Sequence, residues 1–186
     1  LDGTSPAGSG ATFTVTATGR VSDVYPTNRG AGYETAPTIT VSGGGGSGAV
    51  LRADIDAVGA VSSVAILNPG SGYTSAPTIT FSAAPTGGTT ATGTAAIDYK
   101  VDSVAVTAAG SGYSGTPLLT FLSADGGGAF AECTVGTGVS SGQITAVTVK
   151  QGGSYRTIPT ASIETPNALK PREAKLLAVA QPSIDR

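Results

Sequence analysis

Apolar and polar residues alternate along Ala11-Thr12-Phe13-Thr14-Val15-Thr16-Ala17, and the same period returns in Ala49 to Asp56, Ala91 to Asp98 and Ala129 to Val135. A period of two puts one set of side chains on a buried face and the other in water, so each segment reads as a half-buried strand. Phe13, Val15, Leu51, Ile55 and Ile97 then face a core, while Arg52, Asp54 and Asp98 face water. A second segment follows with Val or Ile at i, i+3 and usually i+5: Val61, Val64 and Ile66; Val101, Val104 and Val106; Ile144, Val147 and Val149. Val21 and Val24 begin the same pattern and Pro26 interrupts it. A step of three flips side-chain parity, which a β-bulge at the start of the strand would do. The third segment is Pro37-Thr38-Ile39-Thr40-Val41 and its counterparts from Pro77, Pro117 and Pro159, with proline at the strand entrance where no ladder donor is lost.

Between the second and third segments stands a glycine turn with a tyrosine: Gly30-Ala31-Gly32-Tyr33, Gly70-Ser71-Gly72-Tyr73, Gly110-Ser111-Gly112-Tyr113, and the degenerate Gly152-Gly153-Ser154-Tyr155. The tyrosines step by 40, 40 and 42 residues. Self-similarity at such a period marks one supersecondary unit used repeatedly. The units run over residues 8–47, 48–88, 89–127 and 128–163, and residues 164–186 form a tail outside the pattern. The expectation is an all-β protein of about twelve strands with no helix before residue 164. Such units cannot bury their apolar faces alone, so they form an elongated sandwich or solenoid-like array, or a closed four-unit prism or propeller-like ring. Glycine-rich links at Gly43 to Gly48, Pro85 to Gly88 and Asp125 to Gly128 read as short, flexible, hairpin-like connections.

Composition narrows the chemistry. The 186 residues include no His, Met or Trp and a single Cys, Cys133. Without His, neither a Ser-His-Asp nor a Cys-His nucleophile can be assembled, nor a His-bearing metal site. Carboxylate-only glycosidase chemistry stays open, and no catalytic residue is assigned. A net charge of −2 with 12% charged residues provides no basic stripe for a phosphate backbone, so nucleic acid is not an expected partner. No apolar run approaches a membrane span. The chain opens on Leu1, as a mature product or a fragment would.

The remaining motifs read as structure. Gly43-Gly44-Gly45-Gly46-Ser47-Gly48 fits G-x-G-x-x-G literally, but a dinucleotide fingerprint needs a following helix and Ala49 onward alternates as a strand. No cofactor is expected. Asp54 and Asp56 could share a cation with Asp98 or Asp102, yet no calcium-loop pattern surrounds them, and a solvated strand face is the simpler reading. Cys133 keeps the parity of Ala129, Ala131 and Val135, as a buried small hydrophobe does. Tyr33, Tyr73, Tyr113 and Tyr155 read as rings packed over their turns, with a row of glycan-stacking rings as the alternative. Exposed Thr and Ser rows could carry O-linked sugars.

In the tail, Pro171 and Pro182 bracket a stretch that could make two helical turns or lie extended. Leu176, Leu177, Val179 and Ile184 would be costly to leave in water, so the tail reads as an arm docking on another copy. The stretch Asn68-Pro69-Gly70-Ser71-Gly72-Tyr73-Thr74-Ser75-Ala76-Pro77-Thr78-Ile79-Thr80-Phe81, with its glycine-rich link to Ala49-Val50-Leu51, resembles tandem repeats of bacteriophage tail-fibre and other virion structural proteins, and of bacterial extracellular fibre proteins. The resemblance covers residues 8 to 163. It implies a non-catalytic subunit of an extracellular fibre, microbial or viral, that polymerises with copies of itself. A glycan-binding adhesin module is the alternative.

Overall fold

The computed structural model describes residues 9–164 and 166. The docking residues expected in the tail, Leu176, Leu177, Val179 and Ile184, lie outside them. The described chain is all-β: β1 (Thr12–Asn28), β2 (Ile39–Ser42), β3 (Ser47–Ile55), β4 (Val61–Ser71), β5 (Thr78–Phe81), β6 (Thr92–Ala108), β7 (Leu119–Leu122), β8 (Gly126–Val135), β9 (Ile144–Tyr155) and β10 (Thr160–Ile163), with one 3-10 turn at Gly138–Ser140. Ten strands stand where twelve were expected, because β1 and β6 each merge a first and a second segment into 17 residues.

The cause is turn length. Between Ile55 and Val61 five residues intervene, and Asp56 organises them: its Oδ1 accepts the Val58 and Ala60 amides at 3.1 and 2.9 Å, and the chain folds back as the β3–β4 hairpin. Between Val135 and Ile144 a longer loop with the 3-10 turn does the same for β8–β9. Only Thr18, Gly19 and Arg20 separate Ala17 from Val21, and only Asp98, Tyr99 and Lys100 separate Ile97 from Val101. The chain runs straight through both places. A first segment with no hairpin partner of its own must pair elsewhere, since a strand's backbone groups require partners, and β1 pairs antiparallel with β6 over its whole length.

This ladder is symmetric about its middle. Thr12 faces Ala108 and Asn28 faces Thr92; Val15 faces Val104 and Val24 faces Ala95; Gly19 faces Tyr99 at the centre. Adding eighty to one strand and subtracting it from the other returns the same pairs. The rest of the fold follows the same pattern, at an offset lengthened past the longer β8–β9 loop: β2 pairs β5 as β7 pairs β10, and hairpin β3–β4 matches β8–β9. Neighbour-to-neighbour stacking does not account for a strand that reaches past the whole second unit. Of the glycine-rich links, Pro85 to Gly88 closes an antiparallel β5–β6 hairpin, with Thr78 facing Thr94 and Thr80 facing Thr92, and a single bridge from Leu118 to Glu132 spans Asp125 to Gly128, whereas Gly43 to Gly48 closes none, since β2 pairs β5 and not β3.

Two cores result, each completed by the other half. One gathers Tyr33, Leu51, Ala53, Val61, Ile79 and Phe81 with Ala91 and Ala95 from the start of β6 and its approach. The other gathers Val101, Val104, Tyr113, Leu119, Ala131, Cys133, Ile144 and Tyr155 with Ala11, Phe13 and Val15 from the start of β1 and its approach. The step of three is a bulge in all four units: Ser22, Ser62, Asp102 and Thr145 each stand in a register shift without a partner opposite. A second bulge falls five residues later, at Thr27, Leu67, Thr107 and Lys150.

The turn glycines are fixed by close approach. Gly30, Gly70, Gly110 and Gly153 hold φ of 63 to 66°, and a Cβ on Gly30 would stand 2.6 Å from the Thr89 carbonyl oxygen and 2.8 Å from the Ala91 nitrogen. Gly43 has a similar φ of 75° but open space around its missing side chain. Gly43→Ala should therefore cost only the left-handed strain, about 1 kcal/mol. Gly30→Ala carries the same strain plus a backbone collision, and should cost about 3 kcal/mol or more. Urea unfolding of the two variants measures the difference, and equal losses would show that close approach contributes nothing.

Candidate functional site

The four repeat tyrosines are 2 to 6% exposed. The rings lie over their glycine turns, and the hydroxyls of Tyr33, Tyr113 and Tyr155 are used inside the protein. The Tyr33 hydroxyl accepts the Ala91 amide at 2.9 Å and donates to the Ser82 carbonyl at 3.1 Å; the Tyr113 hydroxyl accepts from Ala11 at 2.8 Å, and that of Tyr155 from Ala129 at 3.0 Å. Ala91 and Ala11 belong to the opposite half of the chain, so Tyr33 and Tyr113 fasten the exchanged strands. Rings buried in this way offer no face to a sugar, and a stacking row at Tyr33, Tyr73, Tyr113 and Tyr155 is replaced by a set of internal fasteners.

The tyrosine amides close the same junctions. Tyr33 N–H donates to Gly59 at 3.0 Å and Tyr113 N–H to Gly142 at 3.1 Å, both in hairpin turns. Tyr73 N–H donates to Gly19 at 3.1 Å, at the centre of the β1–β6 ladder, and Tyr155 pairs with Tyr99 there. Gly19 is required by this crossing: a Cβ would lie 1.8 Å from the Tyr73 carbonyl oxygen.

Beside the crossing lies the concentration of polar chemistry that best merits the name of a site. Asp98, expected in water, is 5% exposed and is the buried charged residue among those described. It faces Arg20 in the ladder. Arg20 donates from Nε to Oδ1 at 2.9 Å and from Nη2 to Oδ2 at 3.1 Å, and the Ser154 hydroxyl also donates to Oδ2. Burial by itself would raise the Asp98 pKa. The hydrogen bonds from Arg20 and Ser154, with the charges of Arg20 and Arg156, outweigh it and hold the carboxyl below the usual carboxylate range. The hydrogen bond to Asp98 raises the Arg20 pKa in turn. A groove of about 470 Å³ opens here, lined by Arg20, Ser22, Asp23, Pro69, Asp98 and Ser154 among others. Arg20 and Ser154 escaped notice in the sequence because their roles appear only once β1 and β6 are known to pair.

This arrangement holds a charge and does not move one. A general acid needs a raised carboxyl pKa, whereas that of Asp98 is lowered. The other carboxylates considered as cation ligands are dispersed: Asp54 engages Arg52 at 3.4 Å and the Ser63 hydroxyl, Asp56 engages its own turn and Arg29 at 2.9 Å, and Asp102 accepts from Thr18. Among the described residues no three His, Cys, Asp or Glu side chains converge as a metal site. Gly44 to Gly46 pack against Tyr73 and its turn and lead into strand β3, so no helix follows the glycines. Cys133 is buried, and burial pushes its thiol pKa up, away from reactivity.

The described surface carries unburied apolar side chains at matching places in the two halves. Val58 and Val139 sit at the two hairpin tips, 79% and fully exposed, and Val50 and Phe130 on the outer faces of β3 and β8. The second half adds Leu118 and Leu122, 65% and 54% exposed, with Leu118 bridged to Glu132 of β8.

Fold and site together define an all-β protein of internally repeated units whose signature residues serve its own assembly. Compared with known proteins, the chain matches no family model, no curated sequence and no solved structure.

Removing the Asp98 charge leaves Arg20 and Ser154 facing an empty partner, so Asp98→Ala should destabilise the fold by about 1.5–3 kcal/mol at neutral pH. The folded pKa lies below the unfolded one. The contribution is therefore complete above the ordinary carboxylate value of 3.8 and is lost as pH falls from there through the folded value. Urea midpoints of the native protein and Asp98→Asn should differ at pH 7 and converge in that acid window; a constant gap would assign the stabilisation elsewhere.

Proposed function

We propose that the chain is a non-enzymatic structural subunit that self-assembles into an extracellular fibre or filament, a microbial surface fibril or a virion appendage, with its four tandem units as building blocks of an elongated array. The observation that carries this reading is the division of labour among the side chains. The repeated tyrosines, glycines and prolines, and the ion pair at the crossing, are spent inside the fold. Apolar residues at the hairpin tips and on the outer faces of β3, β7 and β8 are left in water. Exposed apolar side chains of this size favour protein contacts over small-molecule chemistry.

The partners are copies of the same chain, through those exposed side chains and through the tail carrying Leu176, Leu177, Val179 and Ile184. Ser and Thr on the solvent faces are the acceptors for O-linked sugars. The adhesin reading draws less support, because the rings that would stack on glycans are inside.

Leu118→Ser, Leu122→Ser and Phe130→Ser together should leave the circular dichroism of a folded β protein and remove at least about 2 kcal/mol of contact energy from the interface. Negative staining and sedimentation of native and triply substituted protein read the outcome. Filaments from the native chain and none from the variant are expected, and a native chain monodisperse at every concentration would end the proposal. Deleting residues 167–186 should likewise abolish polymerisation without unfolding the repeats; fibres of unchanged geometry would remove the tail from the contact.

A further inference from the structure

The β1–β6 ladder has the form that two subunits of a strand-exchanged dimer would make, here drawn within one chain. Its pairs repeat under an eighty-residue shift and centre on Gly19 and Tyr99. Its ends are held by Tyr33 on Ala91 and Tyr113 on Ala11, across the halves in both cases. The register at Ala17–Val101 matches that at Ile97–Val21. Both hinges are two residues shorter than the turn that closes β3 on β4, so neither half can satisfy its own long strand. Shortening a hinge below what a hairpin needs is the established physical route to exchanged strands.

We propose that this ladder is also an intermolecular interface, in which β1 of one copy pairs β6 of a second copy of this chain. Every contact of the ladder would recur in the open form. The difference between them rests on the link from β5 to β6, which holds the halves at high effective concentration. That link is short and built: Gly88 N–H donates to Pro85 at 2.8 Å, and a Cβ on Gly88 would stand 2.6 Å from the Ala31 carbonyl oxygen. The single chain closes on itself in dilute solution, and reciprocal exchange grows with concentration. The inference stands apart from the filament reading, since two chains that exchange reciprocally form a closed pair without any fibre.

The test uses the full chain with a protease site placed in the Pro85 to Gly88 link. After cleavage the two halves should stay together in size exclusion at the 18.0 kDa of the uncut protein. In a second protein, Thr18 to Arg20 and Asp98 to Lys100 are each replaced by a copy of the turn Asp56 to Ala60. Each half can then close its own hairpin, and cleavage should release species of half the mass. Uncut native protein, unfolded and refolded at rising concentration, should give a dimer-to-monomer ratio that grows about tenfold for each tenfold rise in concentration. The lengthened protein, which keeps the same tail and outer face, should give monomer. Cleaved native halves that separate without denaturant would overturn the proposal, as would native refolding that gives only monomer, or equal dimer from both proteins. If the lengthened protein does not fold, mixing cleaved native protein with an isotopically labelled copy, unfolding and refolding, decides: native mass spectrometry should show mixed-label pairs, and their absence overturns the proposal.

Discussion

Three residues separate Ala17 from Val21 and five separate Ile55 from Val61, and the topology follows from that difference. With five, a carboxylate can accept two amides of the turn and the chain reverses; Asp56 does so, held further by Arg29. With three, the strand continues. Once β1 continues it presents 17 residues of backbone that its own unit cannot pair, and the equally unreversed β6 is the complementary strand. The division into two cores, the burial of Asp98 and the need for glycine at 19 are consequences of that pairing.

The repeated residues can be understood from the junctions they close. A tyrosine ring buries roughly 150–250 Å², a gross gain of about 4–6 kcal/mol before ordering costs. Its hydroxyl must still find a partner in a dry site. Placing the ring over a left-handed glycine brings the hydroxyl to the amide of an alanine at the start of a first segment, which answers that need at Ala11, Ala91 and Ala129. Glycine is obligatory beneath the ring because the same alanine nitrogen stands 2.5 to 2.8 Å from where a Cβ would be. Glycine, tyrosine and alanine therefore form one interaction, and the interval of about forty residues is the interval of that interaction.

Much of this was legible in the chain. Strand type and face could be read from Phe13, Val15 and Leu51, because a period of two has one physical meaning. The bulges at Ser22, Ser62, Asp102 and Thr145 were legible in the step of three. Partner choice was not, because alternation reports which face is buried and is silent about which strand lies alongside. Asp98 shows the cost: it keeps the polar parity of Asp54, yet it falls where the chain fails to turn, and both its faces are covered. The tyrosines were readable as turn packing from their position after the glycines, but the long reach of their hydroxyls to Ala91 and Ala11 depends on pairing between units.

Loop length therefore carries information in this protein that residue type does not. The four units share their signature glycines, tyrosines and bulges, so their local chemistry is nearly interchangeable, and interchangeable segments can pair in several ways of similar energy. A short hinge in the first and third units removes the local solution for those two alone. The even units then act as self-contained hairpins, and the odd units as connectors that find each other. A repeat protein built on this alternation gains long-range contacts without any special interface residues, because the connectors use the same ladder bonds that the hairpins use. The Arg20–Asp98 pair marks where the equivalence is broken: the symmetric position holds Thr18 and Lys100, so one side of the central crossing carries a buried ion pair and the other a threonine that donates to Asp102. That asymmetry distinguishes the two faces of an otherwise self-matching ladder, and it gives the exchanged strands one orientation in which a buried carboxylate meets its guanidinium.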